Sequence, residues 1–164
     1  MEATKYIRAY EDFAQKPEAD EPETTPQATV DKIWRAIDSG EPFGVISSYG
    51  PGNDDDVNEE DFVQLKTDVL RLKYGFLEQC YSYNYRDNNG ATTVRRKSLF
   101  VPLLPYEDLV TLGKKYGQPV VAFGKDRKMD VLRVSDEAVL KTINFADMKL
   151  AWNLLISDQN NIPW

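Results

Sequence analysis

The 164-residue sequence contains no histidine and only one cysteine. Histidine is the commonest general base and a common metal ligand. Its absence excludes Ser-His-Asp triads, Cys-His dyads, histidine-ligated zinc and two-histidine phosphoesterase sites. The lone thiol, Cys80, has no partner in the chain for a disulfide. Long apolar runs are also lacking: Leu150 to Ile156 is interrupted by Asn153 and falls well short of the roughly 18 residues of a membrane span. Residues 1–16 carry Lys5, Arg8, Glu11 and Asp12 where a secretory signal needs an apolar core. The expectation is a cytoplasmic protein with no membrane role.

Basic residues are outnumbered, 20 against 27 acids, for a net charge of −7, but the imbalance is local. Residues 1–61 hold 16 acids and 5 bases, whereas residues 91–133 hold 4 acids and 9 bases. The bland account is an acidic tail followed by a solvated basic face; the sharper one is a dipolar protein with a basic partner surface. The segment PEADEPETTPQ (17–27) has three prolines, four acids and no hydrophobe larger than alanine, which reads as a linker. Before it, residues 1–16 form an arm with Tyr6, Ile7, Tyr10 and Phe13 at helical spacing. Residues 28–164 are then one domain, long enough to bury a core without disulfides or metal.

Val30, Ile33, Trp34 and Ile37 repeat at helical spacing between a possible cap at Thr29 and a stop at Gly40. Phe43 to Tyr49 reads as a strand, and Phe62, Leu65, Val69 and Leu72 as a helix capped by Asn58 and ended by Gly75. Phe76–Arg86 and Thr92–Val101 flank Asn88-Asn89-Gly90, a strong hairpin signal. Pro105 opens a helix that Gly117 closes; 119–123 and 131–134 read as strands, and 145–157 as a last helix. The order β-α-β-β-α-β with additions matches an α+β, ferredoxin-like (split βαβ) antiparallel sheet. Its helices would cover one face, leaving the other open unless a terminal helix closes it.

A two-residue turn at Asn89-Gly90 sets Tyr85 opposite Val94, Tyr83 opposite Arg96 and Tyr81 opposite Ser98. Tyr81, Tyr83, Tyr85, Asn84, Arg95, Arg96 and Lys97 thereby gather near the tip of a hairpin long enough to project. Tyrosine and arginine dominate contact energies at protein interfaces, and the same pair can stack on bases and neutralise phosphate. The plainer alternative is that the tyrosines cover a core edge and Arg96 stacks on Tyr83. A second, weaker candidate lies at strand ends: Ser48, Tyr49 and Gln118.

Other constellations carry less. Gly50-Pro51-Gly52-Asn53 lacks Walker and GxGxxG spacing, and Asp54, Asp55 and Asp56 behind it would repel phosphate. Those aspartates lack EF-hand spacing, so they read as a solvated capping loop, and neither a metal nor a cofactor is expected. Cys80 has no histidine to activate it, and no Glu-X-Lys nuclease pattern follows Glu78. An RNA-recognition domain would show glycine-flanked aromatics where RRKSLFV (95–101) has only Phe100.

The succession Ile46-Ser47-Ser48-Tyr49, Tyr74-Gly75-Phe76, Ser98-Leu99-Phe100-Val101 and Leu112-Gly113-Lys114-Lys115-Tyr116-Gly117-Gln118 before Val120-Val121 resembles a group of small uncharacterised proteins of bacteria and their phages. The resemblance spans residues 43–124, with Arg96 and Lys97 standing where an acid is expected just before Ser98. It implies a phage or prophage accessory protein and supplies no catalytic residue. The leading expectation is a non-catalytic phage-type protein in the host cytoplasm that binds, and thereby inhibits, a host or defence protein through the hairpin. The alternatives are a nucleotide- or single-strand-binding module, and a histidine-independent enzyme using Ser48, Tyr49 and Gln118. Trp152, Leu155, Ile162 and Trp164 would cover either the core or a twin in a homodimer.

Overall fold

The computed structural model describes residues 25–50, 53–87 and 90–145, with only the strand backbone described for residues 81–95. The arm at 1–16, most of the linker, the helix expected at 145–157 beyond its first residue, and the apolar C-terminal residues lie outside the described residues. Within them, three helices and six strands make an α+β fold built on one antiparallel sheet.

Helix α1 (Gln27–Asp38) turns Val30, Ile33, Trp34 and Ile37 to one side. It starts behind Pro26 with no side-chain cap, so Thr29 is a first-turn residue and not the cap. Gly40 ends it at φ +79°, a conformation that costs glycine little. The chain continues through β1 (Phe43–Ile46), α2 (Asp55–Arg71), β2 (Leu77–Asp87), β3 (Gly90–Pro102), α3 (Tyr106–Lys115), β4 (Val120–Lys125), β5 (Lys128–Arg133) and β6 (Val139–Asn144). Asp54, not Asn58, caps α2, its carboxylate accepting from Val57 N at 2.9 Å. That helix stops at Arg71, with Lys73 in the left-handed region at φ 69°, before Gly75 is reached. Pro105 and Gly117 bracket α3 as expected.

The strands lie in the order β2-β3-β1-β4-β5-β6, every neighbour antiparallel. With β5 and β6 laid beyond β4, this is not the order of a simple split βαβ sheet. Strand alternation divides the core in two. Phe43, Val45, Phe100, Val120, Ala122, Met129 and Val131 pack under α1. Ile46, Leu99, Val101, Val121 and Leu132 pack with Phe62, Leu65 and Val69 of α2 and Leu109 and Leu112 of α3. The second face, expected to stay open unless a terminal helix closes it, is closed by α1, the first described helix. α1 carries four apolar side chains along about two turns, each worth roughly 1.5–3 kcal/mol when buried, and they close the second face.

The hairpin register also differs. Asp87 pairs with Gly90, so facing residues fall two positions from the expected register: Tyr81 opposite Arg96, Tyr83 opposite Val94, Tyr85 opposite Thr92. A slip of two leaves each residue on the same face but changes every cross-strand partner.

Close packing fixes β1 against β4. Gly124 stands opposite Phe43, and a β-carbon there would overlap the Phe43 ring, which is itself stacked on Phe100 at a centroid distance of 4.7 Å. Gly124→Ala is expected to cost about 1–3 kcal/mol in urea unfolding; unchanged stability would show that the ring is free to move.

Candidate functional site

Strand β1 is the shortest and runs between β3 and β4. After Ile46 the chain leaves the sheet as Ser47-Ser48-Tyr49-Gly50, while β3 continues past it toward its hairpin end. The groups of this loop that β1 no longer pairs need other partners. Ser47 Oγ donates to Lys97 O at 2.7 Å and accepts from Tyr49 N at 3.1 Å. Gly50 N donates to Asn58 Oδ1 at 3.0 Å, the task Asn58 performs in place of capping.

The Tyr49 carbonyl is the point of convergence. Arg96 Nη2, from β3, donates to it at 2.9 Å, and Gln118 Nε2, from the residues leading into β4, donates at 3.2 Å. Gln118 Nε2 also reaches Tyr116 O at 3.3 Å. Thus Arg96, Gln118 and the consecutive pair Ser48-Tyr49 come from three places in the sequence to one buried region. Arg96 is 6% exposed, Gln118 4% and Ser48 2%. Three of their polar atoms, Arg96 Nε, Gln118 Oε1 and Ser48 Oγ, have no hydrogen-bond partner.

A second set of contacts stands beside the first. Tyr49 hydroxyl donates to Glu59 Oε1 at 2.6 Å, and Lys97 Nζ pairs with the same oxygen at 2.9 Å. Tyr116 hydroxyl and Lys115 Nζ both donate to Asp68 Oδ2 at 2.6 Å, and Gln64 Nε2 to Asp68 Oδ1 at 3.2 Å. Burial alone would raise the Asp68 pKa, but these donors and the Lys115 charge together hold it below the ordinary 3.8. Burial, and then the bond to Asp68, push the Tyr116 phenol upward. Asp68 thereby pins α2 to the end of α3, next to Gln118.

The residues expected at the hairpin divide. Arg96, expected on an exposed basic surface, is corrected to a buried place at the ribbon's base, where β3 passes the end of β1. Lys97 points to the α2 side and is bound to Glu59. Tyr81, Tyr83, Tyr85, Asn84 and Arg95 have strand positions, but their side chains lie outside the description. Sequence reasoning missed Glu59 and Asp68; the signal for Asp68 was a charge set among Phe62, Leu65 and Val69 on an apolar stripe. Ser48 Oγ has no hydrogen-bond partner and so no contacting base to activate it as a nucleophile. Among the described residues no group of three or more acids or cysteines could hold a metal, and no helix is long and apolar enough to cross a membrane.

Comparison with protein-family models gives no match, and comparison with curated proteins gives none. A solved structure, a phage SAM lyase in complex with S-methyl-5'-thioadenosine, aligns at 13% identity over 63% of this chain and 87% of that chain, with a TM-score of 0.26. A likeness at that score supports no inference about function.

Because its folded-state pKa is depressed, Asp68 contributes its full stabilisation above the ordinary carboxylate value and loses it as pH falls below that value toward the folded-state pKa. Asp68→Asn is expected to cost about 1–2 kcal/mol at neutral pH, Lys115 being half exposed, with the difference from wild type shrinking below about pH 4. Urea titrations across pH measure it; a pH-independent difference would remove the ion pair from the account.

Proposed function

We propose that this chain is a non-catalytic, phage-type accessory protein of the host cytoplasm. In this reading it binds and inhibits a host or defence protein through the β2–β3 ribbon. The observation that carries the reading is the ribbon's reach. β2 and β3 pair from Leu77/Phe100 to Asp87/Gly90, yet β1 covers β3 only at Leu99–Pro102. The pairs from Tyr81/Arg96 outward span roughly 20 Å at about 3.3 Å per residue, with no strand among the described residues on the far side of β3. A two-stranded ribbon alone is marginally stable, and a partner that packs on it gains a surface rich in tyrosine. Tyr81, Tyr83, Tyr85, Asn84 and Arg95 are the residues assigned to that contact.

The scaffold behind the ribbon is read as a ferredoxin-like core, with β5 and β6 added at one edge. What supports this is that β3 lies between β1 and β2, and β1 between β3 and β4. A nucleotide- or single-strand-binding module is the second reading, favoured by one observation, the buried Arg96 guanidinium with an unpartnered Nε. The enzyme reading needed an open sheet face, and α1 fills it.

Capture from host lysate by wild type and by Tyr83→Ala tests the first reading. A protein retained by wild type and bound at least tenfold more weakly by the variant, at equal melting temperature, is the expected outcome. Equal retention by both would contradict it. Steeply salt-dependent binding of a single-stranded oligonucleotide, lost in Tyr83→Ala, would instead favour the second.

A further inference from the structure

Independently of the ribbon, we propose that the buried polar cluster at the end of β1 is a binding site for a small anion, a carboxylate or phosphate group, held by Arg96, Gln118 and Ser48.

Arg96 carries a permanent positive charge, is almost wholly buried and makes one hydrogen bond, to a neutral backbone carbonyl. Among the described residues no carboxylate forms an ion pair with it. Glu59, the acid nearest along this network, is taken by Lys97 and the Tyr49 hydroxyl. Proteins rarely bury a guanidinium without a counter-charge, because its desolvation is costly and its N–H groups go unmet. The Tyr49 carbonyl does not require it either, since Gln118 Nε2 already donates there. A structural role would therefore leave Arg96 both expensive and redundant.

The three unpartnered atoms are chemically complementary to one kind of ligand. Arg96 Nε is a donor on the edge of a guanidinium, the arrangement that suits carboxylate and phosphate oxygens. Gln118 Oε1 is an acceptor whose identity is fixed, because the other amide atom donates to two carbonyls. Ser48 Oγ can do either. An anionic group that also carries or neighbours one O–H or N–H satisfies all three. Water alone would meet the hydrogen bonds but leave the charge uncompensated. The three atoms lie inside the protein, each sealed from solvent, which excludes the side chain of a docked protein.

The test is thermal unfolding of the full chain in sodium chloride, sodium acetate and sodium phosphate at matched ionic strength. The wild type is expected to melt about 5–10 °C higher in acetate or phosphate than in chloride once the anion is in large excess over its Kd. Stabilisation by acetate alone assigns a carboxylate ligand, and by phosphate alone a phosphate. Arg96→Met is expected to melt in chloride at or above the wild-type temperature and to lose the anion-dependent rise. Gln118→Leu, the second variant, is expected to at least halve that rise. No rise in either anion for the wild type overturns the proposal, whatever the variants do. So does a rise of equal size in Arg96→Met, or a lower melting temperature for Arg96→Met in chloride.

Discussion

The carbonyl of Tyr49, where the chain leaves β1, is the joint on which this end of the molecule depends; Gln118 holds it, and Arg96 donates there as well. β1 contributes only four residues to the middle of a six-stranded sheet, and where it stops β3 and β4 would otherwise face a gap. Gln118, from the residues leading into β4, reaches inward and holds the departing backbone, with Arg96 of β3 beside it. The Ser47 hydroxyl ties the same loop to Lys97 O, so the exit of β1 is fixed before α2 begins. Everything beyond, the Tyr49 hydroxyl on Glu59 and the Asn58 amide on Gly50, inherits its position from that exit.

Such a joint needs a rigid frame, and the two cores provide it. α1 closes one face of the sheet over Phe43, Val45 and Phe100, while α2 and α3 close the other over Ile46, Leu99 and Val121. Gly44 and Gly124 let side chains lie flat against β1 and β4: Leu104 and Leu109 on one side, the Phe43 ring on the other. The Asp68 cluster locks α2 to the end of α3 and so sets the segment that delivers Gln118. Stability is concentrated around the site, while the polar atoms inside it are left short of partners. That contrast is common where a protein keeps a place for something else.

Much of the fold was legible. The stripes of α1, α2 and α3 and the Gly40, Pro105 and Gly117 boundaries follow from spacing and backbone preference, and the hairpin from its Asn-Gly signal. The exact pairing was not, because Asn88-Asn89 and Asn89-Gly90 both suit a two-residue turn and differ by two in register. β6 escaped because only Ile143 of its six residues is buried, which leaves no alternation to read. Ser48, Tyr49 and Gln118 were legible as strand-end polar residues. Arg96 was read as a tip residue because its neighbours Arg95 and Lys97 suggested a solvated basic run. Nothing in the sequence marks where a short neighbouring strand ends, and that ending is what buries it.

The buried guanidinium separates a scaffold from a binding site, and electron density would resolve the two most directly. A crystal structure of the protein grown in acetate or phosphate shows what faces Arg96 Nε and Gln118 Oε1. The account predicts an anion within hydrogen-bond distance of both. A side-chain carboxylate of the chain itself on Arg96, or water alone, would contradict it.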